Sequence, residues 1–367
     1  MAVRMEGPVG PRTVISGREV DYFSGTGYLG LQNDPRVLQA ASEALARYGL
    51  STATSRGGYG EHPVFDALEG AAKAFFGTER AMYLPSGYLG AAILAQGLQD
   101  QYEVIFIDRQ AHFSVWDAAR GTGKPVQAFE HCSPESLAAV CREQLNAGQR
   151  PLVLSDGVFP ISGEIAPARD YMNILEPYDG WLALDDAHAA GVIGPQGRGT
   201  LDYWGIDSPH AISSATLSKA LGGFGGLIAA SANQMNQLES HSRVPDAVSP
   251  PPLPIAAAAA QALQIARSEP ERREALWRNI RQARAGLREL GWALPDTPVA
   301  IQCLGTRPSL DLGALKAGLF ERGIAVAHVT TYSSTPVGGA LRIAIFATHT
   351  PAQIDRLVKT LAELISV

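Results

Sequence analysis

The chain has 367 residues, 46% of them hydrophobic, and a formal net charge of −6. This length suffices for two lobes around a large core, and the acidic balance without a basic block argues against nucleic-acid binding. The three cysteines, Cys132, Cys141 and Cys303, lack metal-ligand spacing. We therefore expect no metal site and no disulfide framework, and favour a reducing, cytoplasmic compartment.

Targeting and membrane signals are weak along the whole sequence. The first twelve residues carry charges, glycine and proline without an apolar core, which is not typical of a signal peptide. The longest apolar stretch, at 255–263, is alanine-rich and too short to cross a bilayer. We expect no membrane insertion.

Hydrophobic periodicity predicts alternating strands and helices. The chain begins with a predicted strand at 20–23, helices at 35–48 and 62–76, and a loop at 51–60 between them. Seven apolar runs then predict strands at 81–84, 104–107, 126–129, 152–154, 182–184, 212–216 and 227–230. This alternation is typical of a mostly parallel sheet with helices on both faces.

The last third of the chain has a different organisation. Residues 244–254 hold five prolines and predict a rigid linker. A long helical region follows at 255–290, with a break near Pro270, and residues 304–367 predict a smaller α/β lobe. We divide the chain into an N-terminal segment (1–48), a large domain (49–250) and a small C-terminal domain (251–367).

A lysine at position 219 follows a strand-like run and precedes a glycine-rich stretch at 222–226. A primary amine at a strand end, beside small residues that let a flat ring approach, suits Schiff-base chemistry. Taken alone, the pattern is more typical of a surface lysine in a turn. A second pattern upstream changes this interpretation.

That second pattern is an apolar run at 182–184 that ends in Asp185, Asp186 and, two residues later, His188. Ligands of open α/β sheets bind at the carboxyl ends of strands. An acid there can pair with the ring nitrogen of pyridoxal 5′-phosphate (PLP) and keep it protonated. Helix N-capping is the alternative role, and it is the stronger alternative for Asp186 than for Asp185.

Together these patterns resemble the α-oxoamine synthases, a fold-type-I group of PLP-dependent enzymes. The resemblance runs from about Asp21 to the C-terminus, and its most specific stretches are 156–159, 163–167, 185–194, 197–199 and 216–219. It implies an α/β fold of the aspartate aminotransferase type. A mostly parallel seven-stranded sheet would form the large domain, and a smaller α/β domain would follow it.

The resemblance also implies roles for individual residues. Lys219 matches the Schiff-base lysine, Asp185 the acid at the ring nitrogen, His112 the histidine stacked on the ring, and His188 the histidine near the ring's phenolate oxygen. The residues that match phosphate contacts are Ser86, Gly87, Tyr88, Thr216 and, across a subunit interface, Ser249. Exposed amides at a helix N-terminus, as expected after Ser86, suit a phosphate.

Two arginines match substrate-side positions of the family. Arg342 matches the arginine that grips the amino-acid carboxylate, a task for which a guanidinium fork is suited. Without the resemblance, a solvent-facing strand arginine would be the preferred interpretation. Arg56 matches a loop that reaches toward the neighbouring subunit's site in homodimers of this fold.

Three departures from the family pattern lie on the substrate and ring side. Gly27 stands where the family has an asparagine that helps to hold the carboxylate, and Pro160 stands where a serine usually donates to the ring. Proline has no donor. His62 lies closer to Arg56 than the family's histidine does, and Phe65 fills that later position.

The resemblance implies a homodimeric acyltransferase that condenses glycine, alanine or serine with an acyl-CoA, with loss of CO2. Lyase or aminotransferase chemistry on the same cofactor without CoA is the alternative. A non-catalytic partner subunit is a third hypothesis, and the presence of Lys219, Asp185, His188 and His112 argues against it.

Overall fold

A seven-stranded sheet dominates the computed structural model, which describes residues 3–308 and 310–365. The strands are β1 Arg12–Ile15, β2 Arg18–Tyr22, β3 Arg80–Leu84, β4 Val104–Asp108, β5 Val126–Phe129, β6 Pro151–Asp156, β7 Trp181–Asp185, β8 Ala211–Thr216, β9 Gly226–Ala230, β10 Ile301–Gly305, β11 Ile324–Ala325, β12 Ala327–Val329 and β13 Ala340–Ala344. The helices are α1 Pro35–Tyr48, α2 Pro63–Phe76, α3 Gly90–Gly97, α4 Phe113–Gly121, α5 Pro134–Gln144, α6 Ala168–Leu175, α7 Thr200–Trp204, α8 Ala232–His241, α9 Val244–Ala247, α10 Leu253–Ser268, α11 Pro270–Glu289, α12 Leu312–Glu321 and α13 Pro351–Ile365.

All seven predicted strands of the large sheet are confirmed, in the order β3-β9-β8-β7-β6-β4-β5. Only β9 runs antiparallel to its neighbours β3 and β8. Strands β4, β6 and β7 are buried along their whole length, because helices cover both faces of the sheet. The predicted fold class is therefore confirmed.

The carboxyl edge of this sheet collects polar residues. Strands β4, β6 and β7 end in Asp108, Asp156 and Asp185, and the strand register sets Asp156 directly beside Asp185. Ser214 on β8 lies on the other side of Asp185. Buried carboxylates at adjacent strand ends lower stability unless they have partners. Their presence marks this edge of the sheet as a candidate functional site.

The predicted linker at 244–254 is only partly right. Residues Val244–Ala247 form the short helix α9, and α10 already begins at Leu253 with Pro254 in its first turn. Proline is accepted at the first turn of a helix because the amide it lacks would have no partner there. The predicted break is confirmed, since Pro270 begins α11.

The C-terminal region adds a second sheet, β10-β13-β12, whose strands are all antiparallel. The beginning of the chain joins this region, because β2 pairs in parallel with β11 and antiparallel with β1. Helix α10 packs against α1 and α2. Among the described residues, no helix is both long and apolar enough to cross a membrane.

A buried amide on α11 fastens the chain just beyond β13. The Asn279 side-chain nitrogen donates to the carbonyls of Phe346 and His349, at 2.9 and 2.8 Å. This contact anchors the segment that follows the strand carrying Arg342.

We expect Asn279→Leu to lower the free energy of unfolding by about 1–3 kcal/mol, because buried carbonyls lose their donor. Urea denaturation followed by circular dichroism measures this. Arg278→Leu is the matched control, since Arg278 is exposed on the same helix. Equal stability of the two variants would contradict the anchoring role.

Candidate active site

A cavity of about 150 Å³ opens at the carboxyl edge of the seven-stranded sheet. It is lined by Ser86, Gly87, Tyr88, His112, Ser114, Asp156, Asp185, Ala187, His188, Thr216, Ser218 and Lys219. These residues follow different strands, and the sheet topology brings them together. Eight of the predicted site residues thus meet in one cavity.

The amine of Lys219 lies at the base of this arrangement. It follows β8, and its Nζ lies 2.7 Å from His188 Nε2. Burial lowers the pKa of Lys219 to about 8, although the nearby Asp185 and Asp156 act in the opposite direction. Lys219 therefore has a larger neutral, nucleophilic fraction than a solvated surface lysine.

Two carboxylates face this amine from adjacent strand ends. Asp185 Oδ1 accepts from the Ala187 amide at 3.0 Å, and Asp156 Oδ2 accepts from the His112 amide at 2.7 Å. Burial, followed by the charge of Asp185, raises the pKa of Asp156 well above its usual range. The shift favours a protonated Asp156 beside Asp185.

A hydrogen-bonded chain links Arg342 to Lys219. Arg342 Nη2 donates to Tyr28 Oη at 2.9 Å, and Tyr28 Oη lies 2.7 Å from His188 Nδ1. When the Lys219 amine is neutral, the Tyr28 proton goes to His188 Nδ1 and His188 Nε2–H donates to the amine. When the amine is charged, Lys219 Nζ–H donates to His188 Nε2 and the ring proton lies on Nδ1. Burial, Lys219 and Arg342 depress the pKa of His188 well below its usual range, which agrees with the neutral imidazole of both arrangements.

The cavity suits a phosphate at its other end. Ser86 caps a 3₁₀ turn at Gly87–Leu89 that leads into α3, and its Oγ accepts from the Tyr88 amide at 3.2 Å. A Cβ at Gly87 would lie 2.8 Å from Thr216 Oγ1, so only glycine lets these two elements approach. Thr216 Oγ1 donates to the Gly225 carbonyl at 3.0 Å and so also shapes the wall.

The donor set of the cavity fits PLP. The cofactor needs an amine for its carbonyl, an acid for its ring nitrogen and amides for its phosphate. Lys219, Asp185 and the turn at 86–88 supply groups of these three kinds around one space. His112, at the N-terminus of α4, lines the same space.

Three predicted residues lie outside the cavity wall. Arg342 is buried on β13 and therefore not a solvent-facing strand arginine. Arg56 pairs with Glu61 and Glu69, at 2.8 and 2.5 Å. Ser249 is exposed in the segment between α9 and α10.

The structure shows what lies beside the two family departures at Gly27 and Pro160. A Cβ at Gly27 would lie 2.6 Å from Gln32 Nε2, so the amide of Gln32 occupies the space beside this glycine. The carbonyl of Pro160 accepts from Arg342 Nε at 2.7 Å. Position 160 therefore holds the arginine in place, although it has no donor of its own.

Sequence reasoning did not assign Asp156, Tyr28 or Tyr332 to the site. Asp156 lies two residues beyond the predicted strand at 152–154 and ends the observed β6 beside Asp185, so the rule on strand ends could have found it. Tyr28 follows Gly27 in a stretch that matches the family pattern, although it was given no role, whereas Tyr332 reaches the site from a loop that no local pattern marks.

A separate polar cluster lies beyond the end of β4. Atoms of Asp108, His131 and Cys132 that can bind a metal lie within 4.8 Å of one another. Both His131 ring nitrogens contact carboxylates, Asp108 at 2.9 Å and Glu164 at 3.0 Å. Burial alone would lower the pKa of His131, but these contacts outweigh it and raise the pKa to about 12. We therefore assign Asp108, His131 and Glu164 as an ion triad.

The low pKa of Lys219 predicts how the apoprotein takes up PLP. Only the neutral amine attacks a carbonyl, and at pH 7.4 about a fifth of Lys219 is neutral, against roughly a thousandth of an ordinary lysine. The rate of loading, followed by visible absorbance, should therefore rise with pH and level off above about 8. The Lys219→Ala protein should show no visible absorbance band from cofactor bound to the lysine. A rate that climbs through pH 10 would contradict the assignment.

The chain is similar to known proteins over nearly its whole length. Residues 24–361 match the family model described as aminotransferase class I and II. A putative 8-amino-7-oxononanoate synthase of Desulforudis audaxviator is 34% identical over 358 residues, which cover 97% of this chain and 92% of that protein. The 8-amino-7-oxononanoate synthase of Methylococcus capsulatus is 33% identical over 362 residues, which cover 98% and 93%.

Solved structures give the same result. Serine palmitoyltransferase of Sphingomonas wittichii matches with a TM-score of 0.91 at 27% identity, over 99% of this chain and 92% of that one. The S. paucimobilis enzyme with bound PLP-myriocin aldimine matches with the same scores and coverage. This chain therefore belongs to the aminotransferase class I and II family, and within it to the α-oxoamine synthases, the PLP-dependent group that its sequence resembles.

Proposed function

We propose that this chain is a PLP-dependent acyltransferase. It condenses a small amino acid, namely glycine, alanine or serine, with an acyl-CoA thioester. CO2 and CoA leave, and an α-amino ketone is formed. The names of its relatives, 8-amino-7-oxononanoate synthase and serine palmitoyltransferase, support this reaction class.

One observation carries the proposal: the buried chain Arg342–Tyr28–His188–Lys219, which ends beside Asp185. It connects a guanidinium suited to a carboxylate with an amine whose pKa lies near neutrality. An amino-acid substrate needs one group of each kind, at its carboxylate and at its α-carbon.

Bound PLP would act as the electron sink for the α-carbon of the amino acid. Lys219 Nζ would hold the cofactor, and its free amine would take the Cα proton as general base. Asp185 would pair with the ring nitrogen, His188 with the phenolate oxygen, and His112 would stack on the ring. Asp156, Asp185 and His188 are buried, whereas His112 and Lys219 are partly exposed.

Arg342 would bind the carboxylate of the amino acid. Its Nε, Nη1 and Nη2 each donate one hydrogen bond within the protein, to Pro160, Gly25 and Tyr28. A guanidinium has five N–H donors, so one on each Nη remains for a substrate oxygen. Gln32 supplies an amide where the family has the asparagine that Gly27 replaces.

The turn at 86–88 and Thr216 would bind the cofactor phosphate, together with Ser249 of a second subunit. We therefore propose a homodimer with shared sites. Exposed Ser249, together with the exposed apolar side chains of Leu38, Leu45 and Leu50, supports an interface. Arg56 would face that interface from its loop, held by Glu61 and Glu69.

Two further statements belong to the proposal. The three cysteines are free thiols, which supports a cytoplasmic location. The domain division into 1–48, 49–250 and 251–367 stays a prediction. All seven strands of the large sheet fall within its second part, and β10 to β13 fall within its third.

The test is release of CoA thiol by the PLP-loaded protein, over a grid of glycine, alanine and serine against short and long acyl-CoAs. We expect one pair to release CoA well above the others, because the cavity at the sheet edge is small. Lys219→Ala protein is the control and should release none. The assay uses a thiol reagent and initial rates.

Two outcomes would contradict the proposal. Thiol release that persists in Lys219→Ala would mean that thioester hydrolysis does not use this site. No release from any pair, with cofactor absorbance that still shifts on addition of an amino acid, would move the function to lyase or aminotransferase chemistry.

A further inference from the structure

A tyrosine from the C-terminal region reaches the mouth of the site. Tyr332 lies in the loop between β12 and β13, where a turn closes with its amide donating to Thr335 Oγ1 at 3.1 Å. Its hydroxyl lies 2.7 Å from His112 Nε2. Its ring packs edge-on against Phe113, with centroids 5.3 Å apart. The side chain is still 41% exposed, so it borders the entrance rather than the core.

The hydrogen-bond partners of His112 determine its tautomer. Nδ1 accepts from the Ser114 amide at 3.2 Å, so this nitrogen carries no proton. Burial lowers the pKa of His112, which favours the neutral ring. The one ring proton therefore sits on Nε2 and is donated to Tyr332 Oη.

This assignment leaves the proton of the tyrosine hydroxyl available. Among the residues that the structure describes, His112 is the one hydrogen-bond partner of Tyr332 Oη, and it acts as the donor. Burial raises the pKa of Tyr332, so the phenol keeps its proton near neutral pH. Tyr332 thus offers an O–H donor at the mouth of the cavity, while His112 has no free N–H for a substrate.

The two ends of the site differ in depth. Arg342 is buried behind Tyr28 and His188, and it suits the carboxylate of the amino acid. Tyr332 lies at the open end with Phe113, which is about half exposed. A second substrate with an apolar chain would enter from this end.

We propose that Tyr332 donates a hydrogen bond to the carbonyl oxygen of the acyl thioester. The inference rests on the proposed acyl transfer. After Lys219 has taken the Cα proton, the α-carbon attacks the thioester carbonyl carbon and a C–C bond forms. The π electron pair of the carbonyl moves onto its oxygen, where the Tyr332 O–H stabilises the charge. When the pair returns, the C–S bond breaks and CoA leaves as a thiolate, while Tyr332 keeps its proton.

Tyr332→Phe tests the role, since it removes the hydroxyl and keeps the ring against Phe113. We expect kcat/KM for the acyl-CoA to fall about 10²-fold, the usual effect of losing one such donor. The dissociation constant of the amino acid, read from cofactor absorbance, should stay within about twofold. Exchange of its α-proton in D2O without acyl-CoA should also persist, which shows that the variant is folded and loaded.

A matched control and a cofactor-free readout complete the test. Val337→Ala changes a 99% exposed side chain of the same loop. It should leave both kcat/KM for the acyl-CoA and the rate of α-proton exchange unchanged. In the apoprotein, the ¹⁵N resonance of His112 Nε2 should move in Tyr332→Phe and not in Val337→Ala.

Each result has a defined meaning. Unchanged thioester kinetics in Tyr332→Phe, with active wild type, would overturn the role of Tyr332 and leave acyl transfer intact. Equal loss of amino-acid binding and of thioester turnover would reduce Tyr332 to a structural residue and overturn its role as a donor. A wild type that exchanges the α-proton but consumes no thioester would overturn both proposals.

Discussion

The site depends on the burial of one amine between two carboxylates and a histidine. Removal from water disfavours the charged form of Lys219, and the nearby Asp185 and Asp156 return only part of that cost. The result is an amine that exchanges its proton near neutral pH. Such an amine can attack a carbonyl and later accept a proton from carbon, which are two tasks that an ordinary lysine performs poorly at this pH.

The sheet register makes this burial possible. Asp156 and Asp185 are opposite residues on adjacent parallel strands, so their separation is fixed by backbone hydrogen bonds rather than by flexible loops. His188 follows in the loop after β7, and Tyr28 holds its other nitrogen. The hydrogen-bonded chain then continues to Arg342 on the second sheet. Tyr28 thus joins Arg342 on the second sheet to His188 beside Lys219.

The sequence predicts those parts of the molecule that depend on local pattern. Continuous apolar runs predict the seven strands, because both faces of the sheet are covered. Lys219 and Asp185 were also predictable, because Asp185 follows such a run directly and Lys219 lies three residues after one. The first residues of α10 were read as linker, since prolines at a helix start resemble prolines in a loop until packing is known.

Contacts between distant loops were not predictable in the same way. Tyr332 meets His112 across 220 positions of sequence, and its loop has neither periodicity nor a motif. Gln32 fills the space beside Gly27 only because of the turn that brings the two together. Gln32 thus lies beside Gly27, a position at which this chain departs from the pattern of its family.

The most direct test of the account is the mass of the product formed from a small amino acid and an acyl-CoA by the PLP-loaded protein. The account predicts a compound that contains the amino acid and the acyl group joined by a new C–C bond, less CO2. An oxo acid or a cleaved amino acid, formed while the thioester remains intact, would contradict it.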